Sequence, residues 1–199
     1  MKKLFLTAVI CTLLTPAFAG IDQGIDQGMT HLSILGGFAV PVNEYGSGAS
    51  KVDYGDTGVS YGAQIIHHLT PMLGLGVEVN GTNYDKSETT VLGTKVKTSA
   101  DKYGFFVAGK VNFAPDAKTR FYIPLGAGFV QFKGKIGDTE EKNSKPALFA
   151  GIGVESDLND IFIWGFEARY NHWFMDDTKF ADTNHLADVS VLLKLGIKL

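Results

Sequence analysis

The stretch "DVSVLLKLGIKL" (residues 188–199) carries the clearest structural signal in the chain. From Val189 onward every second residue is apolar, and the positions between include Ser190, Lys194, Gly196 and Lys198. A period of two predicts a β-strand with one apolar face. Because this strand runs to the last residue, it needs both a partner strand and an apolar medium for that face.

Seven further segments alternate in the same way. The plainest is "LGLGVEV" at 73–79, which sets leucine and valine on one face and glycine and glutamate on the other. Helical spacing is almost absent. The remaining copies lie at about 30–40, 57–69, 102–113, 120–132, 147–156 and 161–171. The sequence therefore predicts an all-β chain of eight strands.

The connections between these strands alternate in length. Strands 2 and 3, 4 and 5, and 6 and 7 are joined by the turn-rich segments "LTPM", "APDAKT" and "DLND". The other connections are long and polar, at about 41–56, 84–101, 133–145 and 175–186. We therefore predict an eight-stranded antiparallel up-and-down transmembrane β-barrel, with short periplasmic turns and four long extracellular loops. The last strand would pair with the first and close the barrel.

The two faces of the strands indicate which side meets lipid. The second face is rich in glycine and carries few charges, which suits the narrow interior of an eight-stranded barrel. The apolar face would then contact lipid, with aromatic residues near strand ends forming interfacial girdles. These aromatics are Tyr103, Phe113, Phe162, Trp164, Tyr170 and Phe174. A soluble barrel of the lipocalin type, with its apolar face inward, is the alternative.

The first 19 residues have the layout of a secretory signal peptide. Lys2 and Lys3 precede an apolar run, and the small residues of Ala17-Phe18-Ala19 mark a cleavage site after Ala19. The run is too short to span a bilayer as a helix. Cleavage would remove the only cysteine, Cys11, and with it any disulfide or cysteine chemistry.

The rest of the chain is predicted to form one domain. The repeat "GIDQGIDQG" at 20–28 is short and glycine-spaced, so we expect a flexible lead, followed by a barrel domain at 29–199. The formal net charge is −3. Since nucleic-acid-binding proteins carry a basic face, we expect no nucleic-acid partner.

Six charged residues share the inward face near mid-height. Counted from the short turns or from the C-terminus, three acids and three bases lie about four to nine residues along their strands. They are Glu78, Glu155, Glu167, Lys110, Lys194 and Arg169. Because an unpaired buried charge is costly, we predict an ion-pair network that plugs the lumen. A narrow selective pore lined by the same residues is the alternative.

Candidate metal and cofactor sites are weak. His67 and His68 are neighbours on one strand, so they point to opposite faces and cannot chelate one ion together. The Gly-x-Gly fragments lie within strands with no following helix, which predicts lumen glycines and no nucleotide cofactor. A calcium or zinc site in the last long loop is conceivable but lacks a regular ligand spacing, and a solvated acidic loop is favoured. Its residues would be Asp176, Asp177, Asp182 and His185.

A catalytic reading requires a serine activated by histidine. His172 is the best candidate base, but Ser156 and Ser190 lie on other strands near the opposite end, and His172 shares parity with lipid-facing Tyr170. We therefore expect no catalytic residues, although a lipid-modifying outer-membrane enzyme stays an alternative.

The signal "LTPAFAG", the loop plan, "GFEARYNHW" at 165–173 and the alternating last strand resemble a known family. These features are similar to the small eight-stranded outer-membrane barrels of Gram-negative bacteria, such as OmpX and the transmembrane domain of OmpA. The resemblance covers 29–199 and implies a monomer with both termini periplasmic. It also implies contact with outer-membrane lipid, lipopolysaccharide and the barrel-assembly machinery.

The function expected from these features is non-enzymatic. We expect a structural or surface-interaction protein that binds an unknown surface ligand, if any, through its extracellular loops. A small porin-like pore, a lipid-modifying enzyme and a lipocalin-like binding barrel are the alternatives.

Overall fold

The computed structural model describes residues 24–42, 57–91, 94–136, 139–174 and 185–199, so the expected signal peptide lies outside it. None of the described segments is a helix with the length and apolarity that a membrane crossing requires. The described residues form strands β1 (Thr30–Pro41), β2 (Gly58–His68), β3 (Leu73–Val91), β4 (Thr94–Phe113), β5 (Thr119–Ile136), β6 (Thr139–Asp157), β7 (Phe162–Phe174) and β8 (His185–Lys198).

The eight strands form a closed barrel. Each strand pairs antiparallel with the next, and β8 returns to pair with β1 from Pro41↔Asp188 to His31↔Lys198. Leu199 also donates its backbone N–H to Thr30 O at 2.8 Å. The terminal strand therefore has the partner predicted for it, and the predicted fold class is confirmed.

The outer wall of the barrel is apolar. Ile34, Phe129 and Ile152 are 62%, 64% and 70% exposed, and their outward neighbours are mostly leucine, valine and aromatic residues. Charged residues on the same strands, among them Glu78 and Lys194, are buried inside. An apolar surface of this extent would associate in water, whereas in lipid it is solvated. The faces are those of a membrane barrel rather than a lipocalin.

The predictions of long loops at 84–101 and 133–145 are wrong, because the strands continue through most of both segments. Pairing of β3 with β4 continues to Val91↔Thr94, and pairing of β5 with β6 continues to Ile136↔Thr139. Beyond Tyr84, β3 no longer pairs with β2, and before Ala147, β6 does not yet pair with β7. We call 85–91 with 94–99 the β3–β4 ribbon and 129–136 with 139–146 the β5–β6 ribbon.

The parts of the ribbons that were predicted as loops, 85–99 and 133–145, are mostly polar, so backbone pairing continues there without a sustained apolar alternation. The β4 and β5 members also pair with each other up to Thr98↔Ile136. The two ribbons therefore form one wall that extends past the last pairs with β2 and β7. The other two predicted loops, at 41–56 and 175–186, lie mostly outside the described residues.

The described part of the predicted flexible lead packs against the short-turn end. Ile25 is buried and donates its backbone N–H to Pro115 O at 3.0 Å, and Gly28 donates to His68 O at 2.8 Å. An apolar side chain and paired backbone groups connect residues 24–28 to the barrel. Residues 20–23 lie outside the described part.

Inward glycines leave room for aromatic side chains in the lumen. A Cβ on Gly153 would lie 2.3 Å from Cζ of Tyr122, and one on Gly126 would lie 2.1 Å from Cε1 of Phe149. The rings of Phe106 and Phe149 pack edge to face with centroids 5.1 Å apart. Buried apolar residues continue toward the long-loop end through Phe132, Trp173 and Leu186. The barrel therefore has its core inside the lumen.

Candidate functional site

The lumen near the short turns holds a cluster of charges around Glu155. Its carboxylate lies 2.6 Å from Lys110 Nζ, 2.8 Å from Arg120 Nε and 2.5 Å from Lys194 Nζ. All four side chains are buried. Three cations contact this one carboxylate in a low-dielectric interior, where charge-assisted hydrogen bonds are strong, so Glu155 is held rigidly.

Asp157 extends this cluster toward the short-turn end. Arg120 donates to both oxygens of Asp157, with Nη2 to Oδ1 at 2.9 Å and Nη1 to Oδ2 at 3.1 Å. Lys198 Nζ lies 3.2 Å from Asp157 Oδ2. We call Lys110, Arg120, Glu155, Asp157, Lys194 and Lys198 the lower cluster. Its bidentate Arg–carboxylate pair fixes β5 against β6.

Arg169 organises a second cluster at mid-height. Its Nη1 and Nη2 donate to Glu78 Oε1 and Oε2 at 2.5 and 2.8 Å, and its Nε contacts Glu167. Tyr122 donates its hydroxyl to Glu167 Oε2 at 2.8 Å. These four residues form the middle cluster, in which one guanidinium contacts two carboxylates, one on β3 and one on its own strand β7.

A third cluster lies nearer the long loops and surrounds Asp188. Lys102 Nζ is 2.5 Å from Asp188 Oδ2, and Tyr84 donates its hydroxyl to the same oxygen. Asn171 Nδ2 donates to Asp188 Oδ1 at 2.6 Å. Lys102 Nζ also lies 4.6 Å from the centroid of the Trp173 ring. We call Tyr84, Lys102, Asn171, Asp188 and Ser190 the upper cluster.

The six charged residues predicted for the lumen fall into two of these clusters. Glu155 contacts Lys110 and Lys194, whereas Arg169 contacts Glu78 and Glu167. Tyr122 connects the two groups, because the Lys110 and Lys194 ammonium groups lie 4.6 and 4.2 Å from its ring centroid.

Sequence reasoning missed several members of the clusters. Arg120 is the first residue of the predicted strand 120–132, and Asp188 directly precedes the alternation that begins at Val189. Both have the inward parity of their strands, so applying that parity at the strand ends identifies them. The other cluster members outside the predicted network are Tyr84, Lys102, Tyr122, Asp157, Asn171, Ser190 and Lys198.

Little space is left between these side chains. Between the middle and upper clusters the described residues leave a cavity of about 20 Å³, bordered by Asn80, Lys102, Arg169 and Ser190. A cavity of this volume holds about one water molecule. The arrangement suits a solid, charge-matched interior rather than an aqueous passage.

Comparison with known proteins assigns the family. Residues 45–194 match the family model described as the outer membrane protein beta-barrel domain. The chain belongs to this family of outer-membrane β-barrels. Among curated protein sequences, none matches it.

Solved structures similar to this outer-membrane barrel share its fold at low sequence identity. The N-terminal β-barrel domain of Pseudomonas aeruginosa OprF is 12% identical, with a TM-score of 0.56 over 89% of this chain and 100% of that one. Pseudomonas aeruginosa OprG is 14% identical, with a TM-score of 0.58 over 90% and 99%. Ail, the attachment invasion locus protein of Yersinia pestis, is 17% identical, with a TM-score of 0.53 over 87% and 99%.

The six predicted girdle aromatics all lie on the outer face of the outer-membrane barrel. Phe113 and Phe162 are about half exposed beside the short turns, and Tyr170 and Phe174 are about half exposed toward the long loops. Tyr103 is also exposed on the long-loop half of β4, whereas Trp164 is partly covered and packs edge to face with Phe166 at 5.5 Å.

The candidate catalytic residues do not lie on one face of the barrel wall. His172 lies on the outer face, with its ring 6.2 Å from Tyr170 and 4.7 Å from Phe174. Ser190 lies inside the barrel, where its hydroxyl bonds Asn171 and Asp188, and Ser156 accepts a hydrogen bond from Thr119. The structure does not bring His172 together with either serine.

The neighbouring histidines face opposite sides, as parity predicts. His67 is on the outside, with Nδ1 3.0 Å from Thr30 Oγ1, and His68 is fully buried inside. Among the described residues, no group of three or more His, Cys, Asp or Glu side chains is placed to hold a metal ion. The acidic loop residues Asp176, Asp177 and Asp182 lie outside the described part.

Proposed function

We propose that this outer-membrane barrel is non-conducting and non-enzymatic, and that it serves as a rigid platform for surface interaction. The packed lumen is the observation that carries the proposal. Three charge clusters and an apolar aromatic layer occupy the barrel interior between its two ends. An eight-stranded barrel is only just wide enough for its own side chains, so we expect this packing to exclude a continuous ion-conducting pathway.

The pore alternative requires the same charges with a gap between them. The contacts of 2.5 to 2.8 Å between Arg169 and Glu78, and between Lys110 and Glu155, leave no gap for a hydrated ion. Breaking such pairs to admit an ion would expose buried charges at a cost of several kcal/mol. We therefore favour the plug.

The surface role rests on the two ribbons at the long-loop end of the barrel. The β3–β4 and β5–β6 ribbons extend beyond the ends of β2 and β7, which places their polar side chains, such as those of Gln131, Lys142 and Ser144, clear of the apolar band. We propose that these ribbons are extracellular and that the short turns and both termini are periplasmic. Ail, which is similar in fold, is named for attachment and invasion.

Conductance in planar bilayers tests the plug. Refolded protein, shown to be folded by its heat-modifiable migration on a gel, is expected to give no steady current. Large, stable, ion-selective currents from that protein would contradict the platform and favour the pore.

Truncation of one ribbon tests the surface role. Replacing residues 85–99 by Asn-Gly joins Tyr84 to Ala100, which are already paired, so the barrel should still fold. Cells displaying the full protein are expected to attach to immobilised heparin or to a serum-protein coat, and the truncated variant should attach less. Equal attachment by both on every coat would contradict a role for this ribbon.

A further inference from the structure

Two buried histidines meet inside the barrel near the short turns. His31 comes from the start of β1 and His68 from the end of β2, and their ring centroids are 4.5 Å apart at an interplanar angle of 64°. Their side chains are 2% and 0% exposed. Sequence reasoning could not find this pair, because only the pairing of β1 with β2 brings residues 31 and 68 together.

A thioether completes the group. Met29 Sδ lies 3.3 Å from His31 Nε2. Two other ring nitrogens, His31 Nδ1 and His68 Nε2, are buried without a hydrogen-bond partner, whereas His68 Nδ1 lies 3.5 Å from Asn112 Nδ2. Buried polar atoms of native proteins are nearly always paired, so the unpartnered His68 Nε2, on a ring that packs against His31, points to a missing ligand.

We propose that Met29, His31 and His68 form a binding site for a monovalent copper ion. The donors would be Met29 Sδ, His31 Nε2 and His68 Nε2. A thioether with imidazoles is a soft, neutral donor set, which selects Cu(I) over harder cations. The sulfur-to-nitrogen distance of 3.3 Å is close to that of two ligands sharing one small ion.

The surrounding charges favour a monovalent ion. The adjacent lower cluster contains four basic side chains against the two carboxylates of Glu155 and Asp157, so a divalent cation would meet greater repulsion. The lack of a three-member His, Cys, Asp or Glu group among the described residues also disfavours a conventional zinc site.

Access to the site is from the short-turn end. Met29 is partly exposed there, and the neighbouring Gly28 donates its backbone N–H to His68 O. The site is built from β1, β2 and the segment before β1, and does not depend on what the ribbons bind. Its success or failure is therefore independent of the proposed surface role.

Competition with a chromogenic Cu(I) chelator, under anaerobic conditions and on the refolded mature protein, tests the site. We expect one Cu(I) per chain and much weaker binding of Zn(II). Met29→Leu and His68→Gln should each weaken Cu(I) binding by about 10- to 100-fold or more. The matched controls are Met72→Leu, an exposed methionine at the same end, and His67→Gln, the outward neighbour of His68, and both should bind as the wild type does.

X-ray absorption of the copper-loaded protein supplies an independent readout. The spectrum should show one sulfur ligand that is lost in Met29→Leu. That variant keeps the size and apolarity of the side chain, so it decides the question even if His68→Gln fails to fold. Absence of stoichiometric Cu(I) binding, tighter binding of Zn(II), or equal losses in the control variants would overturn the proposal.

Discussion

At the scale of the residue, Arg169 is the cation of the middle cluster and contacts both of its carboxylates. It binds Glu78 through two hydrogen bonds and contacts Glu167 on its own strand. Arg169→Ala would leave two carboxylates buried without their cation. We expect the free energy of unfolding to fall by roughly 3 to 5 kcal/mol, measured by urea titration in phospholipid vesicles.

A charge-removed variant is the control for Arg169. In the triple substitution Arg169→Met, Glu78→Gln and Glu167→Gln, no unpaired charge is buried, so most of the lost stability should return. If Arg169→Ala alone unfolds at the same urea concentration as the wild type, the middle cluster does not stabilise the barrel.

Gly153 offers a test of packing at a single atom. A Cβ there would lie 2.3 Å from the Tyr122 ring, whose hydroxyl binds Glu167. Gly153→Val should lower the free energy of unfolding by about 1 to 3 kcal/mol, because the ring must move. Gly36→Val is the control, since nothing lies within 4 Å of a Cβ on this strand glycine, and it should unfold at or above the wild-type urea concentration.

At the scale of the element, each strand presents one face to lipid and one to the lumen. Val77 and Leu193 are exposed on the outer face of β3 and β8. Val77→Arg or Leu193→Arg should each cost about 2 to 4 kcal/mol of folding free energy in vesicles, because the charge enters hydrocarbon.

Ser144→Arg is the matched change outside the apolar band. Ser144 is exposed on the β5–β6 ribbon, opposite Gln131, and its replacement should be close to neutral. Equal tolerance of arginine at positions 77, 144 and 193 would contradict the assignment of the outer wall to lipid.

The strands were predictable where one face is apolar and the other is not. Alternation in "LGLGVEV" and in the last strand identified β3 and β8, their inward parity and the closure of β8 on β1. The ribbons were not predictable in this way. Residues 85–99 and 133–145 are mostly polar, among them Lys142 and Ser144, so they leave no apolar period of two, although the backbone still pairs.

The lumen was predictable in composition but only partly in its contacts. Parity identifies which charges point inward, such as Glu155 and Arg169. Which of them meet depends on how far the strands are staggered around the barrel, a quantity that no single strand encodes. For the same reason, the contact of Tyr122 with Glu167, and that of His31 with His68, appear only in the closed structure.

At the scale of the whole molecule, the two ends of the described barrel differ in structure. The short turns and the described N-terminal segment lie at one end, and the two ribbons rise at the other. The packed lumen joins these ends without a passage in our proposal. The orientation of the molecule then decides which end can meet a partner outside the cell.

Single cysteines provide a test of that orientation. Cys11 is the only cysteine of the sequence and lies in the expected signal peptide, so a mature wild-type chain should take up no thiol label. Ser144, on the β5–β6 ribbon, and Asp116, in the turn between β4 and β5, are both exposed. Ser144→Cys should react with a membrane-impermeant maleimide on intact cells. Asp116→Cys should react only after the outer membrane is permeabilised, because that turn is periplasmic in the proposed orientation. Labelling of Asp116→Cys on intact cells, with Ser144→Cys protected, would show that the ribbons face the periplasm.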